Sequence, residues 1–254
     1  MSSTVATIDD VIHELQQIVK RAQADRSRLG YFAALYCNVT MRVRDGIVAG
    51  RFRDGARLER LDVIFANRYL DALQRYRAGE QPTRSWSIAF RQAGSWPLLI
   101  LQHLLLGINA HINLDLAIAA VETAPGSELA ALQPDFDEIN TILGEMLDDV
   151  QDRLASVSPW LGVLDRLGAR KDEEVFSFGL RKSRALSWQA AQSLNQNVGA
   201  LRASQIDLHD RAVAALAVPI YRPGFFLRAV LMGVRARENM DVGQVIDALS
   251  LSQA

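Results

Sequence analysis

The sequence predicts an all-α fold: one multi-helix domain over residues 1–254, bundled around a buried central helix at about 97–122. Three observations lead there. Alanine (34) and leucine (33) far outweigh valine, isoleucine and threonine, which together number 40; Ala and Leu lose little freedom in a helix, while β-branched residues lose χ1 freedom. Sustained apolar/polar alternation with a period of two is absent. The stretch from Pro97 to Glu122 is apolar on every face, the pattern of a helix enclosed by others.

The elements follow in order from their punctuation. The first helix is expected from about Ile8 to Arg28, with Thr7 as N-cap, Asp9 and Asp10 in the first turn and Gly30 beyond its end. The second covers Tyr31 to about Val43, and Asp45-Gly46 marks the turn after it. The phrase Met41–Phe52 is also where two very short strands could pair around that dipeptide. The third spans about Ala56 to Arg77, where Leu58, Leu61, Phe65, Tyr69 and Leu73 recur at helical spacing. Pro82 and Thr83 open a short helix through Phe90, and Pro97 sits near the first turn of the central helix. Ala124-Pro125-Gly126-Ser127 then breaks the chain, and Pro134 opens a more polar helix through about Ala155. Further helices are expected at Pro159–Leu167, Glu173–Gln196, Ser204–Val218, Pro223–Arg237 and Val242–Leu251.

Composition removes several classes of function. A formal charge of -1 and a pI near 6.4 argue against a dedicated nucleic-acid binder. The nine arginines between Arg42 and Arg77 are accompanied by five acids, which fits a solvated helical face better than a phosphate-binding patch. Cys37 is the single cysteine, so an intrachain disulfide or a Cys-rich zinc knuckle is ruled out, and its apolar setting suits a small buried hydrophobe. The opening residues lack a basic stretch followed by an apolar one, so a cytoplasmic, bacterial-type setting is expected. The central helix carries Gln102, His103, Asn109, His111, Asn113 and Asp115, which weighs against a membrane span. Phosphate-cradling glycine loops, the G-x-S-x-G elbow and Glu-x-x-His pairs are all missing.

Candidate chemistry concentrates on that helix. At about 100° per residue, His111 and Asp115 stand one turn apart and roughly 40° apart in azimuth, so both can address one point. Glu122 falls on nearly the same face if the helix stays regular. Two accounts fit the pair. His111 and Asp115 bind Zn or Fe together with residues from other helices, imidazole and carboxylate being ordinary ligands. Alternatively, Asp115 orients His111, and the pair serves as an acid/base unit or as a satisfied buried polar cluster. Gly107, one turn earlier, removes bulk on that row and admits either a ligand or a neighbouring helix. Asn109, Asn113, Arg184 and Trp188 are expected to line the pocket, Arg184 and Trp188 being i,i+4 neighbours. Asp207-Leu208-His209-Asp210 reads as a helix start with acids, and His13 beside Glu14 as exposed.

Three phrases carry a resemblance. YFAALYCNVT (Tyr31–Thr40), FANRYLDAL (Phe65–Leu73) and GINAHINLDLAIA (Gly107–Ala119) look like the hallmarks of the bacterial family domain of unknown function 5995, over most of the chain. That resemblance implies an all-helical single domain. A more distant one is to zinc-dependent phospholipase C and P1-type nucleases, all-helical enzymes that hold metal with a His-x-x-x-Asp pair on a central helix. His111 and Asp115 match that pair. The chain lacks the N-terminal tryptophan ligand of those enzymes and has only four histidines, so what is implied is a one- or two-metal site drawing on Asp62, His103 or His209. Two functions are therefore expected: a metal-dependent hydrolase or other His/Asp-assisted catalyst, or a non-enzymatic helical protein binding a small apolar ligand.

Overall fold

A capping box starts the chain's first helix, α1 (Ile8–Ala24). The Thr7 hydroxyl accepts from the Asp10 amide at 3.1 Å and the Asp10 carboxylate accepts from the Thr7 amide at 3.0 Å, so two otherwise unpaired donors are met. These hydrogen bonds hold the Asp10 carboxyl below the usual range. α1 packs along α2 (Leu29–Val48), and Gly30 permits the contact: a Cβ there would lie 2.6 Å from both the Ala22 Cβ and the Ile246 Cδ1. α2 continues through Asp45-Gly46, where the sequence suggested a turn or a hairpin. Gly46 is buried in the helix, and its missing side chain lets the Phe52 ring and Ile142 approach to 3.0 and 3.2 Å of where a Cβ would sit. The chain turns later, at Ala49 and Gly50, whose φ of 70° suits glycine.

The computed structural model describes residues 5–159 and 172–250. Among these are eleven helices and no strand. The expected helix at Pro159–Leu167 lies outside the described residues beyond Pro159. α3 (Gly55–Arg77) is capped by Asp54, and its predicted apolar row, Leu58, Leu61, Phe65, Tyr69 and Leu73, is buried. α4 (Arg84–Gln92) starts on a borrowed cap. Buried Asp210 accepts from the backbone of Arg84 (2.8 Å) and Ser85 (3.0 Å), an anion meeting the positive end of the helix.

The central helix α5 (Ile100–Thr123) begins three residues after Pro97. Gln102 Oε1 receives the Leu99 amide and the Glu238 carboxylate receives the Ile100 amide. Among the described residues it alone is long and apolar enough to cross a membrane, and 78% of its apolar window is buried inside the protein. α2, α3, α4, α6 (Glu128–Glu145), α8 (Asp172–Asn195) and α9 (Gly199–Tyr221) pack around it. α6 starts before Pro134, not at it; the proline sits inside and leaves the Ala130 carbonyl without its helical donor. α7 (Leu147–Val157), α10 (Phe225–Arg235) and α11 (Val242–Leu249) complete the fold, α11 lying against α1, α2 and α7. The arginines of residues 42–77 pair mostly between helices: Arg51 with Glu138 and Glu145, Arg57 with Asp135.

α5 is not one regular helix. Residues His111–Asp115 form a π turn in which the Leu116 amide reaches back to the His111 carbonyl. The wider turn absorbs one extra residue, so residues beyond it are offset by about 100° from the regular register. Glu122 therefore does not join His111; it is half exposed and pairs with Arg68 at 3.7 Å. Just before the π turn, Gly107 admits the Phe32 ring of α2, whose Cδ2 and Cγ lie 2.5 and 2.6 Å from where a Cβ would be. Gly107→Ala therefore overpacks the α2–α5 contact. Urea denaturation is expected to show a loss of about 1–3 kcal/mol, and Phe32→Leu in the same chain should restore part of it.

Candidate functional site

The site is built on a buried carboxylate. Asp115 is 1% exposed and accepts three donors from three directions. Trp86 Nε1 of α4 donates to Oδ2 at 2.7 Å, Arg68 Nε of α3 donates to Oδ1 at 3.1 Å, and His111 Nδ1 faces Oδ2 at 3.4 Å. A carboxylate can only accept here, so the imidazole proton belongs on Nδ1 and Nε2 is left as an acceptor. The ring is then wedged among aromatics. It stacks on Phe65 (3.5 Å between centroids, 9° between planes) and meets the edge of Tyr36 at 4.4 Å and of Phe32 at 5.5 Å. Burial pushes the His111 pKa down, against the hydrogen bond and charge of Asp115 that favour the cation. The neutral imidazole is the stable form.

His111 forms part of the wall of a cavity of about 130 Å³ lined by residues of α2, α3, α5, α6, α7 and α8 and partly open to solvent. The lining is mostly aliphatic, including Val39, Leu61, Ile112, Ile139 and Leu143. Three of the lining residues carry a buried polar atom with no hydrogen-bond partner among the described residues: His111 Nε2, Tyr36 Oη and Asp62 Oδ2. Burial, with the charge of Glu59, pushes the Asp62 carboxyl up to about 7. Burial and then the Asp62 charge raise the Tyr36 hydroxyl well above its ordinary value. At neutral pH the residues of the cavity wall thus include an imidazole acceptor, a phenol donor and a carboxyl poised between its two forms. Arg184 of α8 completes the polar lining.

The residues expected to form the site are distributed as follows. His111, Asp62 and Arg184 face one cavity, and Asp115 stands behind His111. Asn109 and Asn113 face α9 instead: Asn113 Nδ2 donates to Asn109 Oδ1, Asn109 Nδ2 to the Val213 carbonyl, and His209 Nε2 lies 2.6 Å from the Asn113 carbonyl. Trp188 packs its ring on Phe136 at 4.8 Å and is not among the cavity residues. His103 is eight residues from His111, ~12 Å along the helix. It meets the edge of Tyr31 in a small separate recess, and burial pushes it down to about 3. His13 is exposed, and Cys37 is buried, its thiol pushed up to about 11.

These positions do not fit the metal set of Asp62, His103, His111 and Asp115. Both Asp115 oxygens are already engaged by Arg68, Trp86 and His111, and His103 points elsewhere along α5. Among the described residues no group of three or more His, Cys, Asp or Glu is placed to hold an ion. Arg68, Trp86, Phe65 and Tyr36 carry no mark of a site in the sequence alone. Arg68 and Phe65 lie in the phrase Phe65–Leu73, and Tyr36 in Tyr31–Thr40. The three phrases behind the family resemblance therefore meet at His111.

A family model described as Family of unknown function (DUF5995) matches residues 8–223. The chain belongs to this family. The DUF5995 match takes in every helix that walls the cavity. No curated protein and no solved structure matches the chain, and the resemblance to zinc-dependent phospholipase C and P1-type nucleases gains no support from either comparison.

Asp62 gives the site a pH signature. Its carboxyl is pushed up to about 7 when folded, against about 3.8 for an ordinary aspartate, so the folded state binds its proton more tightly. Its contribution to stability is greatest below about pH 3.8 and is lost as pH rises through about 7. Asp62→Asn removes that loss. Chemical denaturation of both proteins at pH 5 and pH 8 should show the variant gaining on the wild type by on the order of 2 kcal/mol at the higher pH. An equal difference at both values would show that Asp62 ionises as an ordinary exposed carboxyl.

Proposed function

We propose that this DUF5995 protein binds a small, mostly apolar molecule in the cavity beside His111. The observation that carries the reading is that three residues lining one aliphatic cavity, Tyr36, Asp62 and His111, each hold a buried polar atom (Oη, Oδ2 and Nε2) with no hydrogen-bond partner among the described residues. A buried polar group without a partner costs about 1–3 kcal/mol, so three on one wall are a large concession for a core that leucine or phenylalanine could fill. A bound hydroxyl has the capacity for all three: it donates to His111 Nε2 and accepts from the Tyr36 hydroxyl and from the Asp62 carboxyl in its protonated form. The volume suits a molecule near the size of a benzene ring, since an apolar cavity of ~150 Å³ holds one.

2-Phenylethanol is a suitable probe. It should raise the melting temperature of the wild type in a concentration-dependent way, as a ligand of the native state does. Leu143→Trp fills the cavity and should abolish the shift. A shift that survives in the filled variant places binding elsewhere, and no shift at saturating probe removes the reading.

A second reading rests on Asp115 orienting His111 toward the same cavity, the base-and-orienter arrangement of acid/base catalysts. Under it, the bound molecule gives a proton to His111 Nε2, and Asp62, poised near 7, returns one. Zinc or iron would supply Lewis acidity in a hydrolase, but the donor atoms are not arranged for either. Elemental analysis of protein purified without added metal is therefore expected to give far less than one Zn or Fe per chain. Near-stoichiometric metal, lost in a folded His111→Ala variant, would reinstate the metal-dependent hydrolase.

A further inference from the structure

The cavity holds a second kind of unmet polarity at its α8 wall. Arg184 is 3% exposed, and its guanidinium lies over the Phe136 ring at 4.4 Å. Nε donates to Asn140 Oδ1 at 2.7 Å and Nη2 to the Phe136 carbonyl, while among the described residues no hydrogen bond engages Nη1. Both acceptors are neutral. Among the described residues no carboxylate lies within ion-pair distance of Arg184; Asp137 acts on it only from farther off. Burial pushes the guanidinium down to about 10, still well above neutrality, so it carries its charge inside the protein. Other deeply buried charged side chains among the described residues have a counter-charge: Asp115 has Arg68, Asp135 has Arg57, and Arg235 has Glu238.

A buried charge without a partner is far costlier than a buried ion pair. The ring beneath and the two neutral acceptors fix the plane of the guanidinium, the preorganisation that a bound anion exploits. The opposite polar cluster, Tyr36, Asp62 and His111, offers no cation. Asp62 itself would repel a carboxylate placed beside it, so the anionic end of a ligand belongs at Arg184.

Resting on the ligand-binding reading above, we infer that the ligand is a small organic acid, its carboxylate paired with Arg184 and its apolar body lying against the aliphatic lining. A hydroxyl on that body would meet Tyr36, Asp62 and His111. The restricted volume favours an aromatic or short-chain acid over a long acyl chain.

The test compares near-isosteric probes on the intact protein by titration calorimetry at pH 7: phenylacetate, 2-phenylethanol and 2-phenylethylamine. Phenylacetate should bind at least tenfold more tightly than the alcohol, with the amine weakest. Arg184→Met, if folded by circular dichroism, should remove the preference for the acid while still binding the alcohol. The wild-type comparison needs no variant and decides the sign on its own. Equal binding of acid and alcohol would overturn the acid and leave the cavity reading intact. Binding of none of the three would overturn both. A preference for phenylacetate that persists unchanged in folded Arg184→Met would remove Arg184 from the recognition.

Discussion

A carboxylate that is 1% exposed in the middle of an apolar helix has to be neutralised by its neighbours, and Asp115 draws three parts of the protein together to do it. Arg68 supplies the charge from α3, Trp86 a short neutral hydrogen bond from α4, and His111 a third donor from the same helix. Each contact in turn has its own support. Trp86 is held because α4 is capped by Asp210 of α9. Arg68 bridges on to Glu122 near the end of α5. His111 is clamped between Phe65 and Tyr36. Burying such a charge is tolerable only when every lone pair is met with good geometry, so this one residue fixes how α3, α4 and α5 lie against one another.

Polarity is satisfied on one side of His111 and unsatisfied on the other. Toward Asp115 the hydrogen bonds are closed; on the side of the cavity-lining residues, His111 Nε2, Tyr36 Oη and Asp62 Oδ2 have no partner among the described residues. A core shaped only by stability would avoid that asymmetry, because open buried groups weaken the native state while closed ones specify it. The closed side acts as a scaffold that holds the open side in a single geometry. The same division separates Asn109 and Asn113, which are tied into α9, from the cavity residues two faces away on the same helix.

Much of the fold was legible because it rests on local signals. The Ala and Leu excess, the Thr7 cap and the spacing from Leu58 to Leu73 each express a preference that the tertiary structure reinforces. The failures occur where packing overrides a local preference. Asp45-Gly46 has the chemistry of a turn, but Gly46 is needed as a gap for Phe52 and Ile142, and the helix runs through it. Pro134 reads as a helix start and lies inside one. For the site, His111 and Asp115 stood out because polar residues are conspicuous on an apolar helix. Arg68 and Trp86 did not, since an arginine on an amphipathic helix and a tryptophan near a helix start are unremarkable until the partner is seen. Glu122 shares the His111 face only in a regular helix, and the π turn shifts its register.

That π turn also bears on how this sequence can change. One residue more than a regular helix needs lies between Gly107 and the later half of α5, and the apolar neighbours on both sides are fitted to the offset it makes. Deleting a single residue from His111–Asp115 would heal the backbone ladder and so look harmless locally. It would also swing everything after it by about 100°, carrying the buried face of Leu116–Thr123 away from α3 and α8. Substitutions along this helix alter one contact at a time, whereas a change in length alters a whole face at once. Chains built on this plan are therefore free to vary in composition here long before they are free to vary in length.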